Sequence, residues 1–117
     1  MRDITMSKKI KVAVCKGRHE IPQATDGAIF GNTIKEMDPF SLLLEASKRL
    51  FSDFALRSGD RVDLYVTGLT MATLAIVNAC LSTGIRIVCY HYDRETGKYI
   101  PQPIPVSYTH LTLPTIA

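Results

Sequence analysis

The chain has 117 residues, 46% of them hydrophobic, enough for one domain with a core of about two layers and too few for a second. A net charge of +3 with 21% charged residues is too mild for a grip on long nucleic acid through its phosphates, although a local basic cluster can still hold a small anion. No run reaches the roughly 18 apolar residues of a membrane span, the N-terminus lacks the apolar core of a secretion signal, and Cys15, Cys80 and Cys89 each sit inside an apolar run as reduced core residues; the expectation is a cytoplasmic protein without a membrane partner.

Residues 1–9 are a polar, ragged lead-in, and a single domain is expected over 10–105. Ile10-Lys11-Val12-Ala13-Val14-Cys15 is short and rich in β-branched residues, and Lys16-Gly17-Arg18-His19-Glu20 breaks it, which predicts a first strand and its exit loop. From Ile21 to Ile34 the pattern is weak, with a turn at Asp26-Gly27 and a short strand at Ala28-Ile29-Phe30. Asp38-Pro39 starts a helix, because the Asp carboxylate accepts from free N–H groups and Pro suits the first helical position. Phe40, Leu43, Leu44, Ser47, Leu50, Phe51 and Phe54 repeat at threes and fours and are the expected buried face, with Ser58-Gly59-Asp60 as the stop.

Val62 to Val66 is the next strand, followed at once by Thr67-Gly68-Leu69-Thr70 and a helix from about Met71 to Ser82. That helix carries no charge on any face and is expected to be almost wholly buried, against the sheet on one side and a partner subunit on the other. Ile85 to Tyr92 is a third main strand, residues 93–98 form a hairpin loop with Gly97 at positive φ, and Tyr99 to Ile104 returns as an antiparallel edge strand whose prolines suit an edge. The fold class expected is α/β: a Rossmann-like parallel three-stranded core with two helices, extended by hairpins.

In an open parallel sheet, ligands bind beyond the carboxyl ends of the strands. Three segments meet that description here. After the first strand, Lys16 and Arg18 offer a point charge and a two-pronged donor for phosphate, Gly17 permits close approach, and His19 offers a base, a ribose contact or plain packing. After the second, Gly68 and the helix start present backbone N–H groups to an anion, flanked by Thr67, Leu69 and Thr70; Thr70 can equally be a simple N-cap. At the end of the third come His91 and Tyr92. Four tyrosines on the strands, Tyr65, Tyr90, Tyr92 and Tyr99, can stack a nucleobase or pack the sheet. No spacing of Cys and His points to a metal, and no nucleotide-loop motif or nucleophile with its base points to a cofactor or to catalysis.

The run Val62-Asp63-Leu64-Tyr65-Val66-Thr67-Gly68-Leu69-Thr70-Met71-Ala72 resembles the second signature of CARF domains, sensors of cyclic oligonucleotides in bacterial antiviral defence, where a strand is followed by Thr-Gly-Gly-Thr-Lys and a hydrophobic helix. Thr67, Gly68 and Thr70 match; Leu69 and Met71 replace the second glycine and the lysine, which removes a phosphate contact at Met71. The final stretch, Val106-Ser107-Tyr108-Thr109-His110-Leu111-Thr112-Leu113-Pro114-Thr115, resembles an in-frame translation of a sequencing-library adapter, which implies that residues 106–117 are a non-native tail and that Tyr108 and His110 are not functional candidates. In size, fold and implied provenance the chain is similar in kind to small phage proteins that sequester or cleave nucleotide immune signals. These resemblances imply a homo-oligomeric, non-enzymatic binder of a cyclic oligonucleotide or cyclic ADP-ribose-like messenger in the host cytoplasm. A ring-nuclease-like enzyme and a protein-interaction domain are the alternatives.

Overall fold

The computed structural model describes residues 7–17, 20–31, 34 and 37–105. Strands β1 (Lys9–Cys15), β2 (Ala28–Phe30), β3 (Arg61–Tyr65), β4 (Arg86–Asp93) and β5 (Lys98–Ile104) form one five-stranded sheet in the order β2-β1-β3-β4-β5. The first four strands run parallel and β5 is antiparallel to β4. Ala28-Ile29-Phe30 is therefore a fourth parallel strand beside β1 rather than part of a hairpin. The Asp26 carboxylate accepts from the Lys11 N–H at 2.8 Å and Gly27 takes φ +106, which steers the chain into that register.

Helix α1 (Pro39–Lys48) begins as the sequence predicts, with Asp38 accepting from the Ser41 N–H at 2.9 Å and Pro39 in the first turn. Its last turn widens into a π-helical segment, Arg49–Asp53. Arg49 binds Asp53 at 2.8 Å and donates from Nε to the Ile29 carbonyl at 2.8 Å, tying the segment to β2. The buried face of α1 differs from the expected stripe: Leu42, Ala46 and Leu50 enter the core, whereas Phe40 (66% exposed), Leu44 (55%) and Phe51 (39%) do not. The apolar arc is wider than the contact the fold makes, and docking rotates the helix toward its Leu42–Leu50 side.

Helix α2 (Thr70–Ser82) buries Ala72, Thr73, Ala75, Ile76, Ala79 and Cys80; all but Ile76 are small and let it lie close to the sheet. It is not buried all round: Leu74 is 60% and Met71 38% exposed. Both helices pack against each other and share one core with Ile10, Val12, Val14, Val62, Leu64, Ile87 and Cys89, so they occupy one face of the sheet. The β1-to-β2 connection contains no helix among its described residues, so no helix of the described residues lies on the other face, the helix-free face in that sense. By strand alternation that face carries Lys9, Lys11 and Ala13 of β1, Arg61, Asp63 and Tyr65 of β3, and Arg86, Val88, Tyr90 and Tyr92 of β4.

Asp60, 1% exposed, closes the turn before β3 by accepting from Lys8 N–H at 2.9 Å and Arg57 N–H at 2.8 Å, joining the starts of β1 and β3. Both sheet edges resist extension. β2 is only three residues long, and β5 places Pro101 and Pro103 at alternate positions, where an intact ladder to β4 requires their nitrogens to face outward. No helix among the described residues is long and apolar enough to cross a membrane.

Candidate functional site

β1 and β3 are neighbours in the sheet, yet their outgoing connections diverge: β1 leads to β2 on one side and β3 to α2 and β4 on the other. Where neighbouring parallel strands part in this way, a crevice opens beyond their carboxyl ends. The register Ala13↔Tyr65, carried on two residues, puts Cys15 level with Thr67 and Lys16 level with Gly68, one strand spacing of about 4.8 Å apart. Lys16-Gly17 and Thr67-Gly68 thus flank the same crevice. Lys16 N–H donates to the Phe30 carbonyl at 3.0 Å and Val66 N–H to the Tyr90 carbonyl at 3.0 Å, so both loops leave from anchored backbone.

Gly68 turns at φ +105, a conformation L side chains rarely adopt, and delivers the chain directly into α2. The helix begins one residue earlier than expected. Leu69, not Thr70, is the N-cap, and no side chain caps the end. Thr70 is the first helical residue, and its hydroxyl donates to the Gly68 carbonyl at 3.3 Å; Thr73 donates to Leu69 O at 2.9 Å. The opening N–H groups of α2 are therefore left to solvent or ligand, with the positive end of the helix dipole behind them. Lys16, Gly17, Thr67, Gly68 and Thr70 are at least partly exposed and Leu69 is half-buried. Arg18 and His19 lie outside the described residues.

The third strand ends one residue later than the sequence predicts. β4 runs on to Asp93, so His91 and Tyr92 both lie within the β4–β5 ribbon. They point to opposite faces, as the strand repeat of two requires. His91, paired with Ile100, shares the helix-side parity of Cys89 and hydrogen-bonds through Nε2 with Gln102 Oε1 at 2.7 Å. Tyr92 joins the tyrosine cluster on the other face. The ribbon continues because Asp93 holds its own turn, accepting from the Thr96 hydroxyl at 2.8 Å and, through its carbonyl, from the Gly97 N–H at 2.8 Å.

A network on the helix-free face escapes the sequence reading. Arg61 Nε donates to Asp63 Oδ1 at 2.7 Å and its guanidinium reaches the Tyr90 hydroxyl at 3.4 Å; the bond to Asp63 foremost raises the Arg61 pKa. Tyr65 stacks on Tyr90 with ring centres 4.8 Å apart, and Tyr99 meets Tyr65 edge-on at 5.1 Å and Tyr92 at 5.5 Å. Burial pushes up the pKa of Tyr65 and Tyr99. Alternate charges in Lys9/Lys11 and Arg61/Asp63 were the signal in the sequence. Their meaning depended on knowing that both helices of the described residues lie on the other side.

Among the described residues no three His, Cys, Asp or Glu side chains gather where a metal ion could be held. No protein-family model matches the chain, and neither a curated protein nor a solved structure does so significantly. What the fold defines is thus a class, a mixed α/β protein with a five-stranded sheet and two helices.

Proposed function

We propose that this protein binds a small nucleotide-type ligand, without transforming it, in the crevice between the exits of β1 and β3. The observation that carries the reading is the start of α2, where Gly68 and an uncapped first turn present N–H donors beside Lys16 across one strand spacing. Phosphate oxygens sit on those N–H groups and Lys16, with Arg18 and His19 as further contacts from the same loop. The finer form of the proposal follows the CARF resemblance: a Rossmann-like domain that sequesters a cyclic oligonucleotide or cyclic ADP-ribose-like immune signal in a host cytoplasm. Isothermal titration with a panel of such nucleotides tests it, with chromatography of the ligand afterwards. Binding that weakens about tenfold in Lys16→Ala, with intact ligand recovered, is the expected result. No heat with any nucleotide removes the proposal, and linear product turns it into the degrading enzyme.

A second reading, self-association or protein docking through the helical layer, is favoured by the exposure of Phe40, Leu44 and Leu74. With both sheet edges blunted, a homodimer forms through this layer. Sedimentation analysis of Leu44→Glu with Leu74→Glu is expected to give monomers where the unaltered chain gives dimers, and a monomeric unaltered chain rejects the dimer.

A further inference from the structure

The helix-free face of the sheet carries a charge arrangement that an isolated sheet has no reason to keep. Lys9, Arg61 and Arg86 are direct register partners on three neighbouring strands, so three cations stand in one row across the same face. Like charges placed opposite one another on adjacent strands repel. Lys11 lies in the next row, beside Asp63. Counting the strand residues of this face, four cations (Lys9, Lys11, Arg61, Arg86) against one carboxylate (Asp63) give 4 − 1 = +3, as large as the formal excess of the whole chain. Lys9 and Arg86 are exposed, and the single carboxylate is taken up by Arg61 at 2.7 Å. The positive character is therefore concentrated rather than spread.

At the other end of the same face lie the tyrosines. From Arg86 to Tyr92 is six strand positions, about 20 Å at roughly 3.3 Å per residue. Tyr92 is 56% exposed, with its ring edge against Tyr99 at 5.5 Å, so an aromatic surface is held in place but left open. A row of cations at one end and a fixed, open aromatic at the other match the two things a single nucleic acid strand offers, phosphates and base faces. The span is too long for one nucleotide and suits about four.

We infer that the helix-free face, Lys9, Lys11, Arg61 and Arg86 with Tyr92, is a binding surface for a short single-stranded oligonucleotide. It is separate from the strand-end crevice and does not depend on it. Phosphates lie along the cation row, and a base stacks on Tyr92 beside Pro101. The partner is a single strand because a duplex hides its base faces, leaving Tyr92 without a role.

The test uses fluorescence anisotropy of a labelled oligothymidylate about eight nucleotides long at low ionic strength. The expected result is binding that Lys9→Glu with Arg86→Glu weakens at least about tenfold, lowering the salt slope by about 0.7 for each phosphate that the variant no longer neutralises. Tyr92→Ala is expected to weaken binding about tenfold with the salt slope unchanged. Lys9, Arg86 and Tyr92 are all exposed, and circular dichroism checks that the variants fold; Arg61 is left intact because it neutralises Asp63. Failure to bind the oligonucleotide overturns the inference. So does equal affinity for inorganic polyphosphate combined with indifference to Tyr92→Ala, which marks a bare cation patch. If Lys16→Glu abolishes binding and the Lys9/Arg86 variant does not, the inference falls while the strand-end crevice stands.

Discussion

Arg61 and Asp63, two positions apart on β3, point to the same face and meet at 2.7 Å, with Asp63 only 2% exposed. Removing the cation leaves a carboxylate with little water and without its charge partner. Arg61→Ala is therefore expected to destabilise the fold by roughly 1–3 kcal/mol in urea denaturation, below the value for a fully buried pair because solvent reaches Arg61. Replacing both residues, as Arg61→Met with Asp63→Leu, is expected to cost less than the single change. A double variant that costs as much as Arg61→Ala or more contradicts this account.

The turn that ends α1 rests on a residue poorly suited to it. Ala55 takes φ +53, the left-handed conformation in which a Cβ is strained, while Leu56 N–H closes the turn onto the Leu50 carbonyl at 2.9 Å. Ala55→Gly is expected to raise stability by about 0.5–1 kcal/mol, since relief of strain exceeds the added freedom of the unfolded chain. Thermal melting decides it, and a lower midpoint refutes the strain argument.

Gly84 presents the opposite case. It sits at φ +75, its carbonyl accepts from Gly59 N–H at 2.9 Å, and an added Cβ would meet the Ser58 hydroxyl at 2.6 Å. Gly84→Ala is expected to destabilise by roughly 1–3 kcal/mol. Adding Ser58→Gly should restore the part due to the clash and leave the part due to φ.

The thiols and phenols set the alkaline limit. Burial, with Cys89 nearby, pushes the Cys80 thiol up to about 12 from 9.0, and burial raises Cys89 as well. Tyr65 and Tyr99 are raised from 10.0. An acid whose folded pKa is raised contributes stability below its unfolded pKa and loses it as pH rises toward the folded value. The melting temperature is therefore expected to fall from about pH 9 upward. Half-buried Cys15 should react with iodoacetamide in the native protein, and Cys80 only on unfolding. At the acid end the sign reverses. Hydrogen bonding to Ser41 lowers the Asp38 pKa below 3.8, so its capping contribution is present above that value and is lost as pH falls through the folded one.

Much of the fold was legible because it is written in local chemistry. Asp38-Pro39 starts α1, the β-branched run around Val12 makes β1, and Gly97 closes the β4–β5 hairpin, each by interactions within a few residues. The two glycine-bearing loops of the strand-end crevice were legible for the same reason. The features that the sequence leaves open depend on distant partners. Which half of α1's wide apolar arc is buried was settled by its docking against α2 and β2, and the helix start at Leu69 by how the Gly68 turn meets the sheet.

The alternation of charged and apolar residues along β1, β3 and β4 by itself determined that Lys9 and Lys11 would share one side of β1, Arg61 and Asp63 the side of Tyr65 on β3, and Arg86 the side of Tyr90 and Tyr92 on β4, because the strand repeat is two. Only the tertiary structure decided what that side meets. The β1-to-β2 connection carries no helix among its described residues and both helices lie on the opposite face, so Lys9, Arg86 and Tyr92 stand exposed on this side while Asp63 and Tyr65 are buried within it.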